Sequence, residues 1–154
     1  GMHITLKFLG GVTKTQLWDI KQRLAQLAGS FKPFTLTANG VGAFPSPARA
    51  QVVWCGLVGD TAILNRLQQA VEAAISPLGF PAEKRPFAPH LTLSRSKDDA
   101  SPEARRRLGK AALRLAFSST CAIEVGSVSL IKSELSSRGA SYSSLGHFEL
   151  SGRA

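Results

Sequence analysis

The sequence predicts an α+β fold built on mostly antiparallel sheet. Three observations lead there. Amphipathic runs with helical spacing alternate along the chain with short runs rich in β-branched and aromatic residues, and Gly and Pro punctuate both. The tetrapeptide His3-Ile4-Thr5-Leu6 returns 87 residues later as His90-Leu91-Thr92-Leu93, in a chain of 3 histidines. Each copy is followed by a helical run and then by further strand-like runs, the mark of a weak internal duplication. Duplicated lobes bring equivalent strands together across one groove, which is how two motifs so far apart can face each other. At 154 residues the chain forms one domain with two lobes, residues 1–154, large enough for a real core.

The elements follow in order. Gly1-Met2 reads as an added glycine ahead of a start methionine, so Gly1 is left out of the argument. A first strand is expected over residues 3–9, ended by Gly10-Gly11. A helix opens at Thr13 or Thr15, carries Leu17, Ile20, Leu24 and Leu27 on one face, and stops at Gly29. Residues 34–40 and 50–58 read as strands, joined by a turn holding Gly42, Pro45, Ser46 and Pro47. Asp60 suits the N-cap of a second helix with Leu64, Leu67, Val71 and Ile75 facing inward, halted by Pro77 and Gly79. A proline-rich loop over 80–89 delivers the second His-x-Thr strand. Ser101-Pro102-Glu103 supplies a cap, a first-turn proline and an acid on the dipole for a third helix bearing Leu108, Ala112 and Leu115. The remainder alternates like strands over 121–131 and, after a turn at 136–139, over 140–150.

Hydrophobic residues make up 44% and charged residues 19%, the balance of a globular protein and too apolar for disorder. No apolar run approaches the roughly 20 residues of a membrane span. Residues 3–12 are too short, and too polar at alternate positions, for a secretory signal. Against 10 acidic residues stand 19 basic ones, a net charge of +9. That sign speeds association with polyanions, of which nucleic acid is the commonest. The same charge describes a solvated basic surface and names no substrate. Cys55 and Cys121 are single and widely spaced, and both read as buried thiols rather than as a disulfide or metal ligands. Nothing argues for an oxidising compartment, and the chain reads as cytoplasmic.

On a strand, His and Thr two residues apart share a face, about 7 Å from each other. Ile4 and Leu6, like Leu91 and Leu93, then point to a core. Histidine, with an unperturbed pKa of about 6.5, works as base or acid near neutrality. Two of them facing a phosphate divide the work, one taking a proton from water and the other giving one to the leaving oxygen. Thr5 and Thr92 donate to non-bridging oxygens. The scheme needs no metal and no cofactor, and a zinc site lacks ligands, since the acids near the motifs are Asp98 and Asp99 in a loop.

A single histidine in a strand is more often packed or solvated than catalytic, but that account needs the same coincidence twice. His147 has no such partner motif and reads as structural or exposed. Arg95 offers a fork of donors suited to phosphate, although strict alternation puts it on the face opposite His90. Phe8, five residues after His3 as Arg95 is after His90, reads as a core aromatic ahead of a platform for a stacked base. Arg105-Arg106-Arg107 is a solvated helix face within reach of an RNA backbone, and Lys84-Arg85 is better placed to steer a polyanion.

The stretches His3-Ile4-Thr5-Leu6-Lys7-Phe8-Leu9-Gly10 and Pro89-His90-Leu91-Thr92-Leu93-Ser94-Arg95 resemble the 2H phosphoesterase superfamily, named for two such motifs. Within it the likeness is to the RNA 2′,3′-cyclic phosphodiesterase, or 2′-5′ RNA ligase, branch. Gly42-Ala43-Phe44-Pro45-Ser46, Trp54-Cys55-Gly56-Leu57, Arg85-Pro86-Phe87-Ala88-Pro89-His90, Ser133-Glu134-Leu135 and Gly139-Ala140-Ser141-Tyr142 extend it over nearly the whole chain. The resemblance implies two pseudo-symmetric lobes with helices outside and a central cleft. It implies metal-independent hydrolysis of RNA 2′,3′-cyclic phosphate ends to 2′-phosphates, with reverse 2′-5′ joining in some relatives. His3 is then the acid, His90 the base, and Thr5, Thr92 and Arg95 hold the phosphate. Members of this family usually carry a strand and a helix ahead of the first motif, where this chain begins. An open sheet edge, weak activity or a homo-oligomer through that edge is therefore expected. Two rivals stand beside this reading: an RNA-binding module of the same fold with little turnover, and an enzyme for small cyclic phosphates.

Overall fold

The computed structural model describes residues 3–95, 100–115 and 121–152. Its elements run α1 (Lys14–Ala28), β1 (Phe34–Phe44), β2 (Val52–Gly59), α2 (Thr61–Ile75), β3 (His90–Arg95), α3 (Pro102–Leu115), β4 (Cys121–Val125), β5 (Ser127–Ser136) and β6 (Gly139–Glu149). Short 3₁₀ turns occupy Pro47–Arg49 and Ser76–Leu78. The architecture is the expected α+β one, and the β1–β2, β2–β3 and β5–β6 pairings are antiparallel. The chain divides into two units. One comprises Gly1–Leu6, Thr35–Asn65 and Phe87–Glu124; the other comprises Lys7–Phe34, Arg66–Pro86 and Val125–Ala154.

The first unit holds a four-stranded sheet in the order β3-β2-β1-β4. Its apolar centre is Ala38, Cys55 and Leu91, with Ile4, Leu57 and Ile123 packed against them. The Asp60 carbonyl accepts from the Ile63 and Leu64 N–H groups as α2 begins, while its carboxylate accepts from the Thr35 N–H at 3.3 Å. The cap residue thus also ties the helix start to β1. Ser101 caps α3 through a 3.1 Å bond accepted from the Ala104 N–H.

Helix α3 lies on the Pro47–Arg49 turn so closely that a Cβ at Gly109 would overlap the Pro47 backbone. Helix propensity alone favours alanine there by about 1 kcal/mol. The overlap is with backbone, which cannot swing aside, and it decides the sign. Gly109→Ala is expected to destabilise by about 1–3 kcal/mol net. A urea midpoint at or above that of the parent protein would refute this.

The second unit is organised by α1. The Thr13 hydroxyl accepts from the Gln16 N–H at 3.1 Å and the Gln16 side chain accepts from the Thr13 N–H at 2.9 Å, a reciprocal capping box. Ile20, Leu24 and Ala28 follow at four-residue intervals and are buried. The stop at Gly29 falls where the sequence places it. Ser151 and Gly152 donate to the Ala28 and Phe31 carbonyls, tying the segment after β6 to the end of α1. Leu64, Leu67, Val71 and Ile75 of α2 are all buried as expected, each fully buried leucine or isoleucine contributing about 1.5–3 kcal/mol. The helix ends in the Ser76–Leu78 turn and a left-handed Gly79 at φ 106°.

Four expectations are corrected. Residues 3–9 form no hydrogen-bonded strand. The run begins with strand-like alternation, His3 and Thr5 exposed, Ile4 and Leu6 half-buried, and slips at Lys7. The slip has a cause: the Lys7 ammonium is drawn inward to Glu72 at 2.7 Å and to the Pro81 carbonyl at 3.0 Å. Phe8 in consequence is 85% exposed rather than a core aromatic. Strand β1 runs past Gly40 to Phe44 through an irregularity between Ala38 and Val41, so Gly42 lies within a strand and not in the turn. The run over 121–131 breaks at Gly126 into β4 and β5, which join different sheets.

A fifth correction concerns the cysteines: Cys55 is buried as expected, but Cys121, expected to be buried, is exposed because it opens the outer strand β4. Burial pushes the Cys55 thiol up, against a backbone hydrogen bond at Asn39 that lowers it; Cys121 nearby raises it further. The thiolate is the reactive form. Under native conditions a maleimide is expected to modify Cys121 rapidly and Cys55 only on unfolding. Equal labelling rates by peptide mass spectrometry would contradict the burial.

Candidate active site

Strand β3 brings His90 into the sheet opposite Gly56, with Leu91 opposite Cys55 and Thr92 opposite Trp54. The His90 Nδ1 lies 2.8 Å from the Ala88 carbonyl oxygen. A carbonyl can only accept, so Nδ1 carries the proton of this bond. In the neutral ring the lone pair then belongs to Nε2, fixed in direction by the bond on the other side.

Aromatic rings complete the fixing of His90. Gly42 is opposite Trp54, and the indole lies where a Cβ at residue 42 would sit. Glycine at this position is therefore a packing requirement. Phe44, two residues on, stacks on Trp54 at 5.3 Å and 31°. The imidazole meets both rings edge-on, Phe44 at 6.3 Å and Trp54 at 6.4 Å. Such pairs contribute about 0.5–1.5 kcal/mol each beyond area burial. Phe44 is 51% exposed, so the wall beside His90 reaches solvent.

The first motif joins the same unit through its apolar residue. Ile4 packs against the cluster that contains Leu91, so the residue following each histidine shares one small core. His3 and Thr5, on either side of Ile4, are exposed.

Between Trp54 and Val53 the register shifts, and one extra residue enters β3. The β2 positions 56, 54 and 52 are therefore opposed by His90, Thr92 and Arg95. The bulge changes the register so that position 95 pairs with Val52. The side chains of Thr92 and Arg95 lie outside what the structure describes.

Other sequence candidates fall elsewhere. Phe8, Lys84 and Arg85 are exposed in the second unit. His147 is exposed on β6, its Nδ1 3.3 Å from the Ser129 hydroxyl. Asp98 and Asp99 lie outside the described residues. Among the described residues no three His, Cys, Asp or Glu side chains form a metal-ligating group. Phe44 and Trp54 are the neighbours of His90 that the sequence did not single out as site residues. The signal was the Gly42-x-Phe44 spacing, which becomes readable only with the β1–β2 register in hand.

Residues 2–136 match the 2′-5′ RNA ligase superfamily. The chain is 36% identical over 143 residues to the RNA 2′,3′-cyclic phosphodiesterase of Aeropyrum pernix, covering 93% of this chain and 78% of that protein. It is 32% identical over 149 residues to the RNA 2′,3′-cyclic phosphodiesterase of Methanothermobacter thermautotrophicus, covering 97% and 78%. A crystal structure of a Thermus thermophilus protein superposes with a TM-score of 0.75 at 26% identity, over 99% of this chain and 80% of that one. E. coli LigT complexed with 3′-AMP does so with a TM-score of 0.65 at 26% identity, over 97% and 76%.

Proposed function

The chain belongs to the 2′-5′ RNA ligase superfamily, and from that premise we propose that it hydrolyses RNA 2′,3′-cyclic phosphate ends to 2′-phosphates without a metal ion. The observation that carries the reading is the bond from His90 Nδ1 to the Ala88 carbonyl, because it presents Nε2 as a base. That nitrogen takes a proton from water as the water oxygen bonds to phosphorus. The bond from phosphorus to the 3′-oxygen breaks, and the His3 imidazolium gives that oxygen its proton. Thr5, Thr92 and Arg95 donate to the non-bridging oxygens, where charge builds. Phe8, with its exposed ring, is a platform for a base at the RNA end. When the 5′-hydroxyl of a second RNA replaces water, the same two proton transfers make a 2′-5′ joint.

RNA ends are the substrate we favour over small cyclic phosphates, because the +9 charge suits a polyanion. The same charge favours the second reading, an RNA-binding module with little turnover. No helix among the described residues is long and apolar enough to cross a membrane, and the cytoplasm is the compartment we assign. Self-association through the open sheet edge expected beside the first motif belongs to the proposal. The deciding experiment incubates the chain, in EDTA, with a short RNA ending in a 2′,3′-cyclic phosphate. Conversion to a 2′-phosphate end supports the enzyme; RNA binding without conversion supports the module.

A further inference from the structure

We propose that the outer edge of β5 pairs antiparallel with β5 of a second copy of this chain, about a two-fold axis at Ser133. The result is a continuous four-stranded sheet in the order β6-β5-β5-β6. This edge is a different one from that expected beside the first motif, and the pairing is independent of the chemistry proposed above. Among the described residues β6 is the only strand paired with β5. From Ile131 to Ser136 every residue of β5 is exposed. An edge of that kind offers a row of backbone N–H and C=O groups to another strand. A two-stranded sheet is also marginal by itself, and added strands stabilise it.

Side chains decide which partner suits that edge. Alternation places Ile131, Ser133 and Leu135 on one face of β5, and Lys132 and Glu134 on the other. Ile131 is 50% exposed and Leu135 86%. Tyr142, opposite Ser133, adds an exposed ring to their face. Exposed apolar side chains grouped on an open strand mark a contact surface. On the other face Lys132 and Glu134 lie 2.8 Å apart, with side chains 53% and 61% exposed.

The run Ile131-Lys132-Ser133-Glu134-Leu135 complements itself when read in the opposite direction. In an antiparallel pair centred on Ser133, that residue faces its own copy. Each Lys132 then faces a Glu134, and each Ile131 faces a Leu135. Both copies turn the backbone groups of the same alternate residues outward, so the axis falls at a residue and not between two. Centring at Lys132 or at Glu134 sets like charges face to face, which is unfavourable. Ser133 is the centre that gives each of the two charges an opposite partner, and the two-fold makes every such contact twice. The complementarity is of the strand with itself, which is why the occupant we assign is a second copy.

The test is sedimentation equilibrium of the intact chain up to about 0.1 mM, because an interface of one short strand per copy belongs to the small class. The parent is expected to show a monomer–dimer equilibrium that dissociates on dilution. Lys132→Glu makes both facing charge pairs acidic, and Glu134→Lys makes both basic. Each should raise the dimer Kd about tenfold or more. Mixing these two variants one to one restores two opposite-charge pairs, so the mixture should associate within about threefold of the parent. The double reversal Lys132→Glu/Glu134→Lys should self-associate as the mixture does. Both positions are exposed, so the variants are expected to fold. A parent that stays monomeric at about 0.1 mM overturns the interface. A dimer that neither single reversal weakens, or a mixture that fails to recover, overturns it as well, since the contact then lies elsewhere. None of these outcomes depends on turnover of a cyclic phosphate.

Discussion

Replacement of His90 by alanine is expected to lower turnover of a 2′,3′-cyclic phosphate RNA end by about 10²–10⁴-fold, the usual contribution of one positioned general base. At 1.36 kcal/mol per tenfold this is about 2.7–5.4 kcal/mol of barrier. The magnitude separates chemistry from folding. His90 is half-buried at the start of an outer strand, and the ring contacts with Phe44 and Trp54 are edge contacts. Their loss costs stability on the order of 1 kcal/mol each, too little to unfold an ordinary domain. His90→Asn sharpens the comparison. Its amide can still donate to the Ala88 carbonyl, as Nδ1 does at 2.8 Å, but it offers no base in place of Nε2. Both variants should therefore fail in catalysis, while the asparagine melts closer to the parent and both bind RNA nearly as before. Retention of more than a tenth of parental kcat by either variant would remove His90 from the base role.

What the sequence made legible is what short-range chemistry controls. The capping box at Thr13, the stop at Gly29 and the four-residue spacing of Leu64, Leu67, Val71 and Ile75 depend on neighbours within a turn or two, and α1 and α2 lie where those residues put them. The repeated tetrapeptide marked Ile4 and Leu91 as core residues, and both belong to one cluster. The failures share a different cause. Lys7 turns inward because of Glu72, 65 residues away, and the slip it forces puts Phe8 in solvent. Phe44 and Trp54 become partners of His90 through two strand registers, neither written locally.

Lys7 carries the second large effect, this time on stability. Exposed ion pairs are worth about 0–1 kcal/mol, and Arg107–Glu103, with side chains 77% and 71% exposed, belongs to that class. Lys7 and Glu72 do not: their side chains are 5% and 15% exposed. The ammonium donates to Glu72 Oε2 at 2.7 Å and to the Pro81 carbonyl at 3.0 Å, while Glu72 Oε1 accepts from the Glu83 N–H at 3.4 Å. Removing one member strands the other charge away from water. Lys7→Ala is thus expected to cost about 3–5 kcal/mol, and Glu72→Ala a similar amount. Removing both charges while keeping volume, as in Lys7→Met/Glu72→Leu, should cost far less than the sum, because no buried charge remains uncompensated. Urea unfolding of the three proteins measures the coupling. The exposed pair provides the scale: Arg107→Ala should shift stability by no more than about 0.5 kcal/mol and lose its effect in high salt, whereas the cost at Lys7 should persist there. A loss below about 1 kcal/mol for Lys7→Ala would mean that water reaches the pair. In that case the slip at Lys7 would need another cause, and so would the exposure of Phe8 that follows from it.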